Sequence, residues 1–416
     1  MDESRHTALR SPGTHDGYWL ADMTVASLGD APGVLGRHWS SLDTPALLVD
    51  LDRLDANVES MATHARNGGL ALRPHFKTHK SVAIARRQLA AGAVGITVAK
   101  LDEAEALVDG GIDAPILVAY ELVDPRKLER AMRLAARVPV TLAVDSAAGA
   151  RQVAAAVEVA WEAATGTATI SGGTGRRIEV WIEIDSGLRR CGVLASEAAD
   201  LARIVAGLPA LHLTGLFTHA GHSYAAKNAD AVAAIAADEA RSVLDAAAAI
   251  RAIGIPIETV SVGSTPTARF HDGSAGITEL RPGNYVYFDA MQVALGSAAE
   301  RDCALSISTT VISRPTTDRA VIDAGSKTLG LDRGAHSSDL LVDFGSLIGV
   351  DGALARLSEE HGTLRIPSDS PLAIGDQIRI LPNHSCSVSN LAREAFGLRD
   401  GLVRELLTID AAGGVH

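Results

Sequence analysis

Between Asp43 and Gly296 the chain alternates short apolar runs with alanine-rich amphipathic segments. Runs of this length are typical of buried strands, and the segments between them have helical spacing. Because parallel strands need crossover connections, which helices supply, the alternation predicts parallel pairing. The number of strand candidates matches a closed (β/α)8 barrel, whereas a doubly wound open sheet, the competing layout, more usually has fewer strands. The eight candidates are residues 46–49, 70–73, 95–98, 116–118, 141–144, 179–184, 213–217 and 258–262.

The segments that follow Gly296 have a different character. They are short, strand-like and separated by turn residues, which indicates a separate β domain. The strand candidates there are residues 307–313, 320–323, 338–342, 353–357, 363–366, 377–381 and 402–408. We therefore predict an α/β chain, with a (β/α)8 TIM-type barrel followed by a smaller C-terminal β domain. The predicted boundaries are an N-terminal extension over residues 1–40, the barrel over 41–297 and the β domain over 298–416.

The composition is that of a globular protein that does not bind polyanions. Of the 416 residues, 47% are hydrophobic, so the chain can bury a core large enough for two domains. The net charge of −12 argues against nucleic acid or an anionic membrane as the main partner, and no apolar run is long enough for a transmembrane helix. The first 20 residues lack the apolar stretch of a signal peptide, and three widely spaced cysteines form no disulfide framework. These features predict a cytoplasmic protein.

A lysine follows the apolar run at residues 70–72, where a strand would emerge at the mouth of a barrel. This residue, Lys77, has a histidine on either side, His75 and His79. Partial desolvation at such a position lowers the pKa of a lysine and frees its amine for nucleophilic attack on a carbonyl cofactor. A solvated surface charge is the alternative interpretation of the same residue.

A His-x-Cys pair follows the strand-like segment 378–381 near the C-terminus. If residues 383–387 are extended, His384 and Cys386 project from one face, because side chains alternate along a strand. Imidazole and thiolate are ligands for a borderline-soft metal such as zinc, and two protein ligands leave the ion open to water and substrate. A buried structural cysteine is the alternative.

Together these motifs resemble the D-threonine aldolase / D-serine dehydratase family. That family uses pyridoxal 5'-phosphate on an alanine-racemase-like barrel, a fold type III enzyme. The resemblance covers nearly everything beyond residue 42 and rests on a series of motifs in order along the chain. They are residues 43–45, 74–80, 97–100 with Glu103 and Glu105, 183–187, 190–193, 218–224, 262–267, 281–285, 323–327 and 384–386.

The resemblance implies a cofactor site at the mouth of the barrel. Lys77 resembles the lysine that binds the cofactor covalently and later moves the α-proton of the substrate. Two turns are expected to hold the cofactor phosphate, since barrel enzymes frequently bind phosphate after strands seven and eight. The first turn follows the eighth predicted strand, and an ordinary helix N-cap is its alternative role. The turns are Gly263-Ser264-Thr265 and Gly283-Asn284-Tyr285.

Arg190, next to Arg189, matches the arginine that the family places near the pyridine nitrogen of the cofactor. A permanently charged guanidinium there leaves the nitrogen unprotonated and weakens the electron sink. Such an enzyme needs help in breaking its substrate bond, and a metal would supply that help. A surface salt bridge is the alternative for Arg190.

Two histidines follow the seventh predicted strand and should face the barrel mouth. His219 and His222 are candidates for an acid or base near the substrate hydroxyl, consistent with the pKa range of imidazole. A hydrogen-bonded structural histidine is the alternative for each of them.

The His-x-Cys pair decides between branches of the family. Members that act as retro-aldolases tend to carry His-x-Asp at this place, and His-x-Cys is more similar to the D-serine dehydratase branch. We therefore predict a lyase acting on small β-hydroxy D-amino acids. D-serine, giving pyruvate and ammonia, is the first choice of substrate, and zinc is the first choice of metal, with manganese or magnesium as alternatives.

Three other functions stay open. They are retro-aldol cleavage of D-threonine or a related substrate to glycine and an aldehyde, dehydration of 3-hydroxy-D-aspartate, and non-catalytic carriage of the cofactor. Racemase activity is disfavoured because all five tyrosines precede residue 288, which leaves no opposite-face base in the β domain. Relatives of this fold are dimers with active sites near the subunit interface, so the resemblance also implies a homodimer.

Overall fold

The computed structural model describes residues 33–163, 177–334 and 340–416. Most of the predicted N-terminal extension, including the first 20 residues, lies outside the described ranges. The described chain forms two sheets, one parallel with eight strands and one mostly antiparallel with nine. Among its helices, none combines the length and the apolar composition that crossing a bilayer requires.

Seventeen strands and eleven α-helices make up these sheets and their connections. The strands are β1 (Ala46–Asp50), β2 (Ala71–Leu72), β3 (Ile96–Val98), β4 (Ile116–Glu121), β5 (Val140–Val144), β6 (Ile178–Ile184), β7 (Leu211–Thr218), β8 (Thr259–Val262), β9 (Glu279–Leu280), β10 (Leu305–Thr316), β11 (Arg319–Ile322), β12 (Gly345–Ile348), β13 (Ala353–Leu357), β14 (Gly362–Arg365), β15 (Gln377–Pro382), β16 (Glu394–Arg399) and β17 (Leu402–Thr408). The helices are α1 (Leu51–Asn67), α2 (Val82–Ala90), α3 (Leu101–Asp109), α4 (Pro125–Ala135), α5 (Ala147–Ala163), α6 (Ala198–Ala206), α7 (Ala229–Ala252), α8 (Thr265–Ala268), α9 (Ala290–Ala294), α10 (Ser326–Leu329) and α11 (Ser385–Leu391).

The parallel sheet is the predicted TIM-type barrel. Its strands run in the order β2-β9-β8-β7-β6-β5-β4-β3. The two edge strands are joined by backbone hydrogen bonds from Val94 to Leu72 and from Thr97 to Pro74, both 2.9 Å long. The curled sheet therefore returns to its starting edge, and helices α1 to α7 alternate with its strands. Most apolar side chains of these strands and helices form one large core, and a second, smaller cluster on the barrel strands contains Leu117, Ala143, Trp181 and Phe217.

Three of the helices around the barrel begin at residues whose side chains cap them. The side chain of Asp50 accepts a hydrogen bond from the backbone of Arg53 and so caps α1. Asp124 caps α4, which has a proline at its first position, and Asn228 caps α7. Each cap satisfies a backbone N–H group that has no partner within the helix. Helices α1 to α7 lie in the alanine-rich segments between the predicted strands, as the helical spacing of those segments predicts.

One predicted barrel strand belongs to the other sheet. Residues 46–49 do form a strand, but β1 pairs antiparallel with β10 and parallel with β16. The eighth barrel strand is instead β9, which was not predicted because it has only two residues and one of them is charged. Glu279 is satisfied inside the barrel by Arg73, at 2.9 Å, and by Ser261, at 2.8 Å. The turn at Gly263 therefore follows the seventh barrel strand, and the turn at Gly283 follows the eighth.

The antiparallel sheet forms the predicted C-terminal β domain. Fully buried side chains, including Ile307, Ile380, Leu354 and Leu364, fill its core, each worth about 1.5–3 kcal/mol of burial free energy. Strands β12 and β16 were not predicted, because they carry glycine or charged residues with low strand propensity. A strand predicted over 338–342 begins outside the described residues, and residues 340–342 are not extended into one.

Candidate active site

A cavity of about 510 Å³ opens at the carboxyl ends of the barrel strands. The segments that follow β2, β3, β4, β6, β7, β8 and β9 all contribute to its wall, and the turn after β15 closes one side from the β domain. This is the end at which barrel enzymes place their active sites. The lining residues are His75, Lys77, Thr78, Ala99, Ala119, Tyr120, Glu121, Glu183, Arg190, Cys191, Phe217, His219, Tyr224, Ser264, Thr265, Arg281, Gly283, Asn284, His384 and Cys386.

The cavity brings together most of the residues predicted to form the site. Those in its wall are Lys77, Arg190, His219, Ser264, Thr265, Gly283, Asn284, His384 and Cys386. Three predicted residues do not line the cavity, namely His222, Gly263 and Tyr285. Tyr285 is fully buried, and its hydroxyl accepts a hydrogen bond from Gln88 at 3.0 Å.

Lys77 lies in a short 3₁₀ turn just beyond β2. The side chain of His75 caps this turn by accepting a hydrogen bond from the backbone N–H of Lys77 at 3.3 Å. Burial lowers the pKa of Lys77, with Arg190 and Arg281 acting in the same direction against Cys386 and Glu103. Burial also lowers the pKa of His75 well below its ordinary value, assisted by the charge of Lys77. The site therefore favours a more readily deprotonated amine beside a neutral imidazole.

His79 packs behind the lysine and not in the cavity. Its ring meets Phe76 edge-on, with centroids 5.0 Å apart, and its Nε2 lies 3.2 Å from the amide oxygen of Gln88. Burial lowers the pKa of His79 to about 3. Because Gln88 also binds Tyr285, this histidine helps to hold the scaffold under Lys77.

His384 and Cys386 do not lie on an extended segment, which corrects the geometry predicted for them. Helix α11 begins at Ser385, so His384 is its N-cap residue and Cys386 is in its first turn. Helical geometry would separate neighbouring side chains by about 100°, but the non-helical backbone of His384 lets both side chains reach the cavity. Both side chains thus reach the cavity, but from a helix N-terminus and not from the extended segment on which the prediction was based.

The environment of Cys386 favours a thiolate. Burial opposes ionisation, but the charges of His384 and Lys77 and the hydrogen bonds from His384 and Thr78 outweigh it and lower the pKa of the thiol. Conversely, burial favours a neutral His384, but Cys386, Asp332 and Asp289 raise the pKa of the imidazole well above its ordinary value. Zinc binds a thiolate together with a neutral imidazole, so a bound ion would take up the Cys386 thiolate and displace the proton that the raised pKa leaves on His384.

A second cluster of potential ligands lies elsewhere on the wall. Within the described ranges, Glu121, Asp145 and Cys191 place one donor atom each within 4.8 Å of one another. Burial raises the pKa of Cys191 to about 11, with Glu121 and Glu183 acting in the same direction. A protonated thiol is a poor ligand, so the donor chemistry favours His384 and Cys386 as the metal-binding pair.

The two predicted phosphate-binding turns meet at the wall. Gly263 has φ +143°, and a Cβ there would lie 2.9 Å from the backbone nitrogen of Arg281, so only glycine fits. Thr265 Oγ1 accepts a hydrogen bond from the backbone N–H of Tyr285 at 3.1 Å, which joins the turns. The amide oxygen of Asn284 is buried and has no hydrogen-bond partner among the residues described. A polar atom of this kind at a cavity wall fits a site built for a polar ligand.

The same asparagine connects the barrel to the segment that carries His384 and Cys386. Asn284 Nδ2 donates to Asp289 at 2.6 Å and to the Ser385 hydroxyl at 2.9 Å. The carboxylate of Asp289 also accepts a hydrogen bond from the backbone N–H of Ser385 at 3.0 Å. The loop after β9 and the start of α11 are therefore held as one unit.

Charged side chains also line the cavity, namely Glu183, Arg190 and Arg281. Arg190 lines it and Arg189 does not, and the Arg190 guanidinium is half exposed at 3.8 Å from the carboxylate of Glu183. Burial, with the neighbouring Glu121, raises the pKa of Glu183 to about 9. Arg281 is buried here as well, donates to the hydroxyl of Ser261 at 2.8 Å and stacks on Phe217.

The two candidate histidines have different positions. His219 lines the cavity, and its Nδ1 donates to the carbonyl oxygen of Gly263 at 2.9 Å. His222 instead packs on Gly187, where a Cβ would lie 3.1 Å from the imidazole. Both residues follow the sixth barrel strand, β7. The structure thus favours His219 over His222 for contact with a substrate.

Several wall residues were not predicted. Arg281 opens one of the motifs that carried the family resemblance, and its place directly after a strand was the available signal. Glu121 and Glu183 end strands β4 and β6, where a carboxylate within an apolar run was likewise visible. Thr78 follows the lysine directly. Asp332 contacts His384 but does not line the cavity. No sequence motif marks it, because only the folding of the β domain brings it to the site.

Sequence comparisons divide the chain in the same two parts. The alanine racemase N-terminal domain matches residues 49–291, and a serine dehydratase domain matches residues 304–398. A D-threo-3-hydroxyaspartate dehydratase from Delftia sp. (strain HT23) is 37% identical over 364 residues, which cover 83% of this chain and 92% of that enzyme. The two family models taken together extend over the barrel and the β domain, and so does the alignment with the dehydratase.

Solved structures show the same architecture. The crystal structure of D-threonine aldolase from Filomicrobium marinum superposes with a TM-score of 0.81 at 34% identity, covering 93% of this chain and 100% of that one. A cysteine-to-alanine variant of a D-threo-3-hydroxyaspartate dehydratase, solved in a metal-free form, superposes with a TM-score of 0.79 at 34% identity. That superposition covers 89% of this chain and 98% of the other.

Proposed function

The chain belongs to the D-threonine aldolase / D-serine dehydratase family of pyridoxal-phosphate enzymes, and we propose that it is a metal-dependent lyase that dehydrates a β-hydroxy D-amino acid. One observation carries this proposal. Lys77 and the pair His384 and Cys386 face the same cavity, although they come from different domains. A covalent-cofactor lysine and a zinc-type donor pair are thus available to one small substrate.

We assign each residue that lines the cavity a role in the reaction according to its position. Pyridoxal phosphate supplies an electron sink for the substrate α-carbon, and the metal supplies Lewis-acid polarisation of the β-hydroxyl. We assign Lys77 to binding the cofactor and to removing the α-proton, because burial makes its amine easier to deprotonate. His384 and Cys386 are assigned to the metal, and loss of hydroxide from the β-carbon follows removal of the α-proton. The resulting enamine hydrolyses to a keto acid and ammonia.

The remaining wall residues hold the reactants. Ser264, Thr265, Gly283 and Asn284 are assigned to the cofactor phosphate, with Gly263 and Tyr285 supporting them from behind. Arg190 is assigned to the pyridine nitrogen, where a fixed positive charge keeps that nitrogen unprotonated. His219 is assigned to a proton near the substrate hydroxyl, since its ring is held at the wall by the Gly263 carbonyl. His222 keeps only a supporting role in this proposal.

D-serine is the substrate we propose first, because the His-x-Cys pair is typical of the D-serine dehydratase branch. A 3-hydroxy-D-aspartate is a second candidate, supported by the 37% identity to the Delftia dehydratase. The metal-free cysteine-to-alanine variant in that group supports a cysteine in metal binding, and zinc is the metal we propose. We further propose a homodimer, from the family resemblance, and a cytoplasmic location, which the three free cysteines support.

Product analysis tests the proposal directly. Purified enzyme loaded with cofactor and zinc is incubated separately with D-serine, D-threo-3-hydroxyaspartate and D-threonine, with Lys77→Ala as the inactive control. A keto acid plus ammonia (pyruvate from D-serine) is the expected result. Glycine with an aldehyde from D-threonine would identify an aldolase and would show that Cys386 does not discriminate between the branches.

A further inference from the structure

We propose that Asp332 is a positioning residue for the metal site and holds the imidazole of His384 so that Nε2 is presented to the ion. This inference rests on the proposed metal-dependent function. Asp332 belongs to none of the motifs that identified the site, and it stands 52 residues before the histidine in the chain. It follows α10, and His384 precedes α11.

The contact between the two side chains is short and directed. Asp332 Oδ2 lies 2.6 Å from His384 Nδ1. Because a carboxylate oxygen accepts, the proton is on Nδ1. In the metal-binding neutral imidazole the lone pair is then on Nε2, which is the nitrogen left for a metal. The carboxylate therefore selects the tautomer as well as the orientation of the ring.

Asp332 is itself held in place. The hydroxyl of Ser387, in the first turn of α11, donates toward both carboxylate oxygens at 3.0 and 3.2 Å. Gly330 ends α10 with φ +73°, a conformation that glycine adopts without strain. A Cβ at Gly330 would lie 3.2 Å from Asp332 Oδ1. The turn after α10 and the serine hydroxyl thus fix the carboxylate beside His384.

A different carboxylate holds the backbone of the same segment. Asp289 accepts a hydrogen bond from the backbone N–H of Ser385 at 3.0 Å. It therefore fixes the start of α11, whereas Asp332 contacts the side chain of His384. Removal of Asp332 should leave the segment in place and free the ring to turn.

The geometry distinguishes a positioning residue from a third ligand. Across the described parts of the chain, Asp332 does not form a set with His384 and Cys386 in which all three donor atoms lie within 4.8 Å of one another. Groups that orient a metal-binding histidine typically contribute 10- to 100-fold to metal affinity. Loss of Asp332 should therefore weaken the site without abolishing it.

Zinc affinity provides the test. Competition with a chromogenic chelator is measured on cofactor-loaded wild type, Asp332→Ala, Asp332→Asn and Asp318→Ala. Asp318 is the matched control, an exposed aspartate of the same domain that accepts a hydrogen bond from Thr316. Asp332→Ala should raise the zinc Kd by about 10- to 100-fold. Asp332→Asn should recover part of the loss, because its amide oxygen still accepts from Nδ1, and Asp318→Ala should match the wild type.

Two further measurements separate positioning from a general loss of structure. The cofactor absorbance and the Tm of the metal-free protein should be unchanged in Asp332→Ala. If that variant does not fold, Asp332→Asn and Ser387→Ala carry the test, and each should weaken zinc binding by a smaller factor. Wild-type zinc affinity in the folded Asp332 variants would overturn the positioning role alone. A wild type that binds no zinc would overturn the proposed metal dependence as well.

Discussion

The Thr78 hydroxyl oxygen lies 3.2 Å from the sulphur of Cys386, across 308 residues of sequence. Thr78 is the immediate neighbour of the candidate cofactor lysine, and Cys386 is a candidate metal ligand. One contact thus fixes the segment of the lysine proposed to move the α-proton relative to the cysteine proposed to act, through the metal, on the β-hydroxyl. Dehydration acts on two adjacent carbon atoms of the substrate, the α-carbon and the β-carbon. The contact between Thr78 and Cys386 therefore has to control the distance between the two protein groups that act on them.

Replacing Lys77 by alanine should abolish activity and the absorbance band of the lysine-bound cofactor. The amine is the only group assigned both to bind the cofactor covalently and to move the α-proton, so the loss of rate should exceed about 1,000-fold. Absorbance spectra and turnover measure the two effects. Lys327→Ala is the matched control, because this lysine pairs with the exposed Glu359 and Glu360 and does not line the cavity. A retained absorbance band in the Lys77 variant would refute the assignment.

Replacing Cys386 by alanine should remove the metal and spare the cofactor. With one of two protein ligands gone, zinc affinity should fall by more than about 100-fold, a larger loss than that expected for Asp332→Ala. Metal content and cofactor absorbance are measured on the same sample. Cys303→Ala, a buried cysteine outside the cavity wall, is the control and should keep its zinc. Stoichiometric zinc in the Cys386 variant would place the metal elsewhere.

Removal of the metal from the wild type should stop dehydration. After dialysis against a strong chelator, turnover should fall to background and return when zinc is added, because hydroxide is a poor leaving group without polarisation. Manganese and magnesium are compared in the same assay to identify the best metal. Undiminished turnover in the presence of the chelator would exclude the metal from the mechanism.

The two candidate histidines should respond differently to substitution. His219→Gln should lower kcat by about 100- to 10,000-fold, the usual contribution of an acid or base group. His222→Gln should lower kcat by less than about tenfold, because this ring packs on Gly187 and does not line the cavity. Steady-state kinetics, with Tm as the measure of folding, test the difference. Equal losses of kcat in the two variants would contradict the assignment of His219.

The buried Glu183 should make the metal-free and cofactor-free protein less stable as the pH rises. Its pKa is raised from an ordinary value of 4.5 to about 9, so between these values the unfolded state binds fewer protons than the folded state. The free energy of unfolding must then fall with increasing pH, by at most about 1.4 kcal/mol per pH unit. Glu183→Gln should remove this dependence. Denaturant titrations from pH 5 to pH 9 give the slopes.

A matched control completes that experiment. Glu129, on α4, has a side chain that is 70% exposed. Glu129→Gln should give a stability profile parallel to that of the wild type. A Glu183→Gln profile that is also parallel would show that the carboxyl group is ionised in the folded protein.

The barrel and the β domain could be predicted because their strands and helices have strong periodic patterns. The exceptions had a physical cause in each case. Residues 46–49 show the signal of a buried strand, which is the same whichever sheet the strand joins. Strand β9 is short, and its charged Glu279 is compensated only by Arg73 and Ser261 from neighbouring strands. Pairing of that kind depends on the folded barrel.

The candidate site shows the same division. Lys77, His384 and Cys386 stand in motifs, so local sequence identified them. Asp332 and Asp289 act through hydrogen bonds to residues more than 50 positions away, and no local pattern marks such partners. The extended geometry predicted for His384 and Cys386 was wrong because a helix N-cap interrupts the segment. Their common direction depends on that cap.

The pairing of β1 has a consequence for how the chain is made. Its antiparallel partner lies at residues 305–308 and its parallel partner at 396–398. A ribosome therefore completes the whole barrel before the earliest strand has a neighbour to join. The barrel is in effect an insertion within a discontinuous β domain, and a fragment that stops near residue 297 would leave an apolar strand with both edges open. The β domain that carries Cys386 is thus complete only after the barrel that carries Lys77 has been made, and both are needed to form the cavity.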